Sequence, residues 1–175
     1  KTKQSPFVLL ENVDRLLLSP SKQRGRDFGI ILSCLANENY IVEWRVVNAA
    51  EYGEVQRRRR TFIFAYKINT NFANSLKLQD DIETVSEILG DTGFFAQTFP
   101  IKKLVASSIR TTKISFDIAS VSDNFSFDFA NSGIMFNGSI YTIKSTPILV
   151  KAKTLDKIIE KGNVDKKYFI PKERL

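Results

Sequence analysis

Four consecutive arginines, residues 57–60, stand directly before an apolar segment in the sequence YGEVQRRRRTFIFAY. A run of like charge is typical of a solvated loop or tail, and basic clusters occur in many unrelated proteins. The residues that follow, TFIFAY, are aromatic and β-branched types that favour a strand. We therefore expect the arginines at the mouth of a hairpin, where a rigid sheet edge can aim them.

A second polar group follows an apolar run near the start of the chain. Residues 7–10 are the apolar sequence FVLL, and Glu11 and Asn12 come directly after them. An uninterrupted apolar run is typical of a strand covered on both faces, as in a parallel sheet. In open α/β sheets, functional groups collect just beyond the carboxyl ends of the strands. Glu11 and Asn12 are therefore candidate functional residues.

The segments between these two groups predict part of an α/β sheet. RDFGIILSCLANENY has the spacing of an amphipathic helix that ends near residues 37–39, with its apolar positions at Phe28, Ile31, Leu32 and Leu35. In YIVEWRVVNAA the residues alternate as in a strand, with Glu43 and Arg45 on one face and Val42, Trp44 and Val46 on the other. The order strand, helix, strand, strand predicts the trailing half of an α/β sheet with an antiparallel edge hairpin.

The composition changes after residue 67, and we predict a second, small and mainly β domain over residues 68–175. LKLQDDIETVSEILGDTG predicts a helix whose apolar stripe is Leu78, Ile82, Val85 and Leu89. Short strands are expected where Phe125, Phe127 and Phe129 alternate with polar residues. The dipeptide Asn137-Gly138 between two apolar runs predicts a hairpin. A short helix is expected in TLDKIIEKG. The two regions together form an α/β, or overall α+β, protein.

Composition limits the kinds of function. The chain has 175 residues, a formal net charge of +7 and no histidine, which predicts attraction to polyanions. One cysteine without histidine forms neither an internal disulfide nor a zinc cage, so no metal is expected. We expect Cys34 to be a small core residue. The apolar runs are too short for a membrane span and the start does not fit a signal peptide, which favours a soluble, cytoplasmic protein.

The two polar groups together resemble the bacterial DNA cytosine C5 methyltransferases. That family carries a Glu-Asn-Val block on one strand and a Gln-x-Arg-x-Arg block on a later hairpin, and ENVDRLL and NAAEYGEVQRRRRTFI have this order and spacing. FANSGIMFNGSIYTIKSTP and KYFIPKERL resemble the target recognition domain of one bacterial branch. The resemblance implies methyl transfer from S-adenosylmethionine to C5 of a flipped-out cytosine in double-stranded DNA, within a bacterial restriction-modification system.

The resemblance also implies a role for each residue of the two blocks. Glu11 would hydrogen-bond or protonate N3 of the cytosine and hold its exocyclic amine, while Arg60 would stabilise charge that develops at O2. Arg58 would brace Glu11 or the neighbouring backbone. The other implied contacts are Asn12 with the nucleophile loop, Gln56 with the cytosine pocket and DNA, and Arg57 and Arg59 with phosphate or solvent. Alternatively, Glu11 and Arg58 form a buried ion pair that joins sheet to hairpin.

The departures from the family pattern suggest a partial enzyme. Val55 stands where the family usually has proline, and nothing resembles the family's cofactor block or its Pro-Cys nucleophile block. We therefore expect residues 1–67 to be the C-terminal part of a Rossmann-like methyltransferase catalytic domain and residues 68–175 a DNA-binding target recognition domain. Alone, this chain is expected neither to methylate DNA nor to bind S-adenosylmethionine. Its exposed sheet edge is expected to self-associate.

Other functions remain open at the level of sequence. The first alternative is a non-catalytic DNA-binding module, or one subunit of a split methyltransferase whose nucleophile lies on a second chain. The second is a basic RNA-binding or ribosome-associated domain in which the two blocks are coincidental. DNA binding by this chain is expected to be weak and to fall steeply with salt, because basic contacts release counterions.

Overall fold

The computed structural model describes residues 3–174, which fold around a six-stranded antiparallel sheet. The strands are β1 (Phe7–Asn12), β2 (Tyr40–Asn48), β3 (Arg59–Lys67), β4 (Arg110–Lys113), β5 (Ser132–Phe136) and β6 (Ser139–Ile143). Across the sheet their order is β1-β3-β2-β5-β6-β4. The helices are α1 (Arg26–Asn37), α2 (Asn71–Ser75), α3 (Ile82–Glu87), α4 (Phe94–Thr98) and α5 (Ile118–Asn124). The mixed α/β class is confirmed.

Each face of the sheet carries its own apolar core. On one face, α1 and α5 pack over Trp44, whose indole N–H donates to the carbonyl of Ala130 at 3.1 Å. A glycine at position 133 is required beneath this ring, because a Cβ there would lie 2.1 Å from the Trp44 side chain. On the other face, residues of α2, α3 and α4 pack over Tyr66 and Ile134.

The predicted hairpin of β2 and β3 is confirmed, but its place in the sheet differs from the expectation. β1 lies beside β3 and β5 lies beside β2, so the hairpin is interior and not an antiparallel edge. The pairing depends on residues 132–136, far from the hairpin in sequence. Strands from both sides of residue 67 therefore share one sheet, and the two-domain division stays a prediction.

The expectation of a parallel β1 covered on both faces is wrong. β1 is antiparallel to β3, with Leu9 opposite Phe64, and it is the first strand of the sheet. Phe7 is 46% exposed and Leu9 58% exposed. The apolar run predicted the strand correctly, but no described helix covers these two side chains. Self-association of this edge stays a prediction.

The helix predicted after the polar connection is confirmed as α1, but Cys34 is exposed and not a core residue. The buried face of α1 contains Phe28, Leu32 and Ala36, at the spacing of successive turns. Cys34 lies two residues after Leu32, which places it about 200° around the helix axis. The buried face therefore shares Phe28 and Leu32 with the expected stripe but continues to Ala36, and Cys34 lies outside it.

The Asn137-Gly138 hairpin is confirmed as the turn between β5 and β6. Both residues have positive φ angles, 48° and 74°, as the favoured two-residue hairpin turn requires. Phe125, Phe127 and Phe129 are not in a strand, because that segment packs its rings on the α1 core without a partner strand.

The two helices predicted in the second region are shorter than expected. α3 begins at Ile82, where Asp81 accepts a hydrogen bond from the Thr84 N–H at 2.8 Å, and a π-helical turn, Ile88–Thr92, follows it. TLDKIIEKG contains only a 3₁₀ turn, Leu155–Lys157. Within residues 3–174, no helix combines the length and apolar character needed to cross a membrane.

Candidate functional site

The end of β1 meets the start of β3 and brings together three of the predicted site residues. Antiparallel pairing places Glu11 opposite Phe62, so Arg60 lies diagonally across from it on the same face of the sheet. The Arg60 Nε atom is 2.7 Å from Glu11 Oε1, and an Arg58 Nη atom is 3.7 Å from the same oxygen. Glu11 therefore contacts both arginines of the Gln-x-Arg-x-Arg pattern.

Arg60 is the most enclosed member of this cluster. Its side chain is 24% exposed, compared with 45% for Glu11 and 50% for Arg58. A second contact, from Arg60 Nη1 to the carbonyl of Arg59 at 2.7 Å, fixes the plane of the guanidinium. Further N–H donors of that guanidinium remain for a ligand. The carboxyl and guanidinium groups can therefore bind a planar group that has both acceptors and donors.

Arg59 and Asn12 lie on the opposite face of the sheet. Strand alternation directs Arg59 away from Arg60, and its Nε atom lies 3.3 Å from Asp14 Oδ2. Asn12 is opposite Thr61 in the ladder, and its side-chain oxygen accepts from the Val13 N–H at 2.8 Å. The site at Glu11 therefore contains neither side chain.

Gln56 and Arg57 lie in the exposed loop before β3. The Gln56 carbonyl accepts from the Arg58 N–H at 3.1 Å, which is a local turn contact. Arg57 precedes the first residue of β3, so the strand alternation that separates Arg59 from Arg60 does not determine its direction. The structure does not bring either residue into the Glu11 cluster.

Sequence reasoning missed the burial of Glu43 and Arg45. Glu43 is 1% exposed and accepts hydrogen bonds from the Tyr66 hydroxyl at 3.1 Å and the Phe94 N–H at 3.3 Å. Burial raises the pKa of Glu43 to about 7. Arg45 donates to the carbonyls of Leu89 at 2.6 Å and Phe99 at 2.7 Å. The alternation of these two residues in β2 was visible in the sequence. The segment that buries them, residues 89–99, could not be inferred from it.

Comparison with known proteins identifies similar sequences. The chain matches the profile of the family described as C-5 cytosine-specific DNA methylase over residues 1–167. It is 48% identical to Type II methyltransferase M.Sau3AI of Staphylococcus aureus over 170 residues, which are 97% of this chain and 40% of that protein. It is 40% identical to Type II methyltransferase M.NgoBI of Neisseria gonorrhoeae over 72 residues, which are 41% of this chain and 22% of that protein. This chain thus spans less than half the length of either relative. No solved structure matches it.

Proposed function

The chain belongs to the C-5 cytosine-specific DNA methylase family, and we propose on this basis that it forms the target-base side of an enzyme that methylates C5 of a flipped-out cytosine. The observation that carries the proposal is the 2.7 Å contact between Glu11 and Arg60. It places a carboxyl and a guanidinium group side by side, as the chemistry of a cytosine ring requires. The similarity to type II methyltransferases supports a role in a restriction-modification system.

Glu11 recognises and activates the base. A thiolate that adds to C6 of cytosine pushes negative charge onto the ring, and that charge is relieved at N3 and O2. Glu11 hydrogen-bonds or protonates N3, and its carboxyl group also holds the exocyclic amine. Partial exposure of Glu11 leaves this carboxyl accessible to a base that has left the duplex.

Arg60 stabilises the charge that develops at O2. Its guanidinium is fixed at two points, Glu11 and the carbonyl of Arg59, before any base arrives. A donor that is already oriented needs no rearrangement during the reaction, which makes such groups effective at stabilising developing charge. Arg58, at 3.7 Å from Glu11, braces the carboxyl from the loop side.

The other residues of the two blocks act on DNA and on the catalytic loop. We assign Gln56, Arg57 and Arg59 to the DNA that surrounds the flipped base, and Asn12 to the loop that carries the nucleophile. Residues 68–175 form the recognition part, with double-stranded DNA as the partner. The excess of basic residues, a formal net charge of +7, favours salt-dependent binding to phosphates.

The methyl donor of the family is S-adenosylmethionine. The two clefts beside Arg59 are poor candidates for its binding site. One cleft is lined by Arg45, Arg59 and Lys144 with a single acid, Glu51. The other is lined by Arg15 and Arg59 with Asp14. Excess positive charge does not suit a sulfonium cation. We therefore assign donor binding to neither cleft.

The identity of the methylated base tests the proposed function. The complete enzyme that contains this chain is incubated with duplex DNA and labelled S-adenosylmethionine, and the DNA is digested to nucleosides. We expect all label in 5-methyldeoxycytidine. Label in N4-methyldeoxycytidine or N6-methyldeoxyadenosine would contradict the proposal, and DNA binding without any transfer would favour the non-catalytic DNA-binding module.

A further inference from the structure

A cleft of about 270 Å³ lies at the end of the sheet where β2 ends and β3 begins. Three distant parts of the chain line it: the end of β2 with the turn after it, the start of β3 at Arg59, and residues 144–147 after β6. Glu11 and Arg60 do not line it. The cleft thus joins the arginine hairpin to the segment that resembles a recognition domain.

The charges around the cleft favour an anion. Arg59 and Lys144 are both exposed side chains on its lining, Glu51 is the acid that lines it, and Arg59 also contacts Asp14 outside it at 3.3 Å. Arg45, which also lines the cleft, is 2% exposed, and its guanidinium donates to the backbone carbonyls of Leu89, Phe95 and Phe99. A partly enclosed site with low-dielectric walls concentrates this positive field on a bound anion.

The wall that carries Lys144 is fixed in place. Asn131 donates from its side chain to the Ser145 carbonyl at 2.9 Å and accepts from the Ser145 N–H at 2.8 Å. The hydroxyl groups of Ser132 and Ser145 are 2.6 Å apart, and the Lys102 N–H donates to the Thr146 carbonyl at 2.8 Å. A lysine on such an ordered segment loses little backbone freedom on binding.

We propose that this cleft binds one backbone phosphate of duplex DNA, next to the target cytosine, with Arg59 and Lys144 as the contacting cations. Arg59 and Arg60 are neighbours in β3 and point to opposite faces. Both residues stand at the start of β3, so a phosphate held by Arg59 on one face fixes the DNA backbone near the nucleotide whose base Arg60 holds on the other face. This inference rests on the proposed function for the location of the phosphate.

Methylphosphonate substitution in the DNA tests the contact directly. A series of duplexes, each with one neutral methylphosphonate in place of one phosphate, is titrated with the complete enzyme and with its Lys144→Gln variant. For the wild type, each neutralised contact weakens binding, because that phosphate no longer releases counterions. In Lys144→Gln, the loss at one position beside the target cytosine should become smaller, because only Arg59 still contacts that phosphate, and the salt slope should become shallower by up to about 0.9.

Lys77→Gln is the matched control, because Lys77 is exposed and lies beside Ile41 and Ile68 at the other end of the hairpin. It should keep every methylphosphonate effect. The same pattern in Lys144→Gln as in the wild type would overturn the proposal. So would an effect of Lys144→Gln on binding of inorganic phosphate at constant ionic strength, without an effect at any DNA position, since the cleft would then hold only a free ion. Failure of the proposed function is distinct, because it appears as absence of 5-methyldeoxycytidine.

Discussion

At the residue scale, the exposure of the Glu11 and Arg60 side chains separates a structural role from a functional one. A buried ion pair that joins sheet to hairpin would require both side chains to be enclosed, yet Glu11 is 45% exposed. Pairs with this much solvent contact stabilise a fold by about 0 to 1 kcal/mol. A contribution to stability therefore does not explain why a carboxyl group and two arginines meet at this point. The proposed binding of a ligand by an oriented pair does explain it.

Glu11→Gln should slow methyl transfer by the complete enzyme, on the order of 100-fold, as for the loss of one general acid. The amide keeps the shape of the side chain and can still accept from Arg60, but it cannot protonate N3. Single-turnover transfer measures the rate, and thermal unfolding should show little change.

Glu54→Gln is the control for Glu11→Gln. Glu54 lies in the loop between β2 and β3 and pairs with Lys153 at 3.3 Å, with both side chains more than half exposed. Its substitution should leave the transfer rate close to wild type. A wild-type rate for Glu11→Gln would show that the carboxyl does not act on the base.

At the element scale, β2 shows which features could be predicted from sequence. The alternation of Val42, Trp44 and Glu43 is a local pattern, and it predicted the strand and its two faces correctly. Burial of both faces depends on α1, which directly precedes β2, and on α4, which is distant in sequence. The Asn137-Gly138 turn was predictable for the same local reason. The strand expected around Phe127 failed because a strand needs a partner, which local alternation does not specify.

The buried carboxyl of β2 makes stability depend on pH. Burial raises the pKa of Glu43 from the ordinary 4.5 to about 7, so the folded protein keeps a proton that the unfolded chain releases in this range. The contribution of Glu43 to stability is therefore complete below pH 4.5 and is lost as pH rises towards 7. Glu43→Gln removes this dependence. Relative to wild type, its free energy of unfolding should rise over this window, by up to about 3 kcal/mol.

Urea unfolding of both proteins at several pH values from 5 to about 8 checks this expectation. Glu38→Gln is the control, because the Glu38 side chain is exposed and contacts Lys67 at the end of β3. Its difference in unfolding free energy from wild type should not show this dependence on pH. If the difference between Glu43→Gln and wild type stayed constant with pH, Glu43 would not hold a proton in the folded protein.

At the scale of the whole molecule, one sheet connects Glu11 and Arg60, which we propose to bind the target base, to the segment that resembles a recognition domain. The β2–β5 pairing places Ser132 opposite Arg45, and residues after β6 extend this connection to the cleft at Arg59. Pairing between such distant segments could not be read from local sequence patterns. It predicts that the base pocket and the DNA contacts move as one unit in the complete enzyme.

Arg57 and Arg60, at the two ends of the basic run, should therefore affect different properties of that enzyme: Arg60 the rate of methyl transfer and Arg57 the binding of DNA. Arg60 contacts Glu11 and is assigned to the cytosine, while Arg57 is exposed in the loop and is assigned to the surrounding DNA. Single-turnover methyl transfer at saturating DNA compares Arg60→Ala with Arg57→Ala. We predict a loss of about 100-fold for Arg60→Ala, typical of one lost oxyanion donor, and a nearly wild-type rate for Arg57→Ala with a salt slope shallower by about one phosphate contact. Equal losses of rate in the two variants would contradict the assignment of Arg60 to the cytosine.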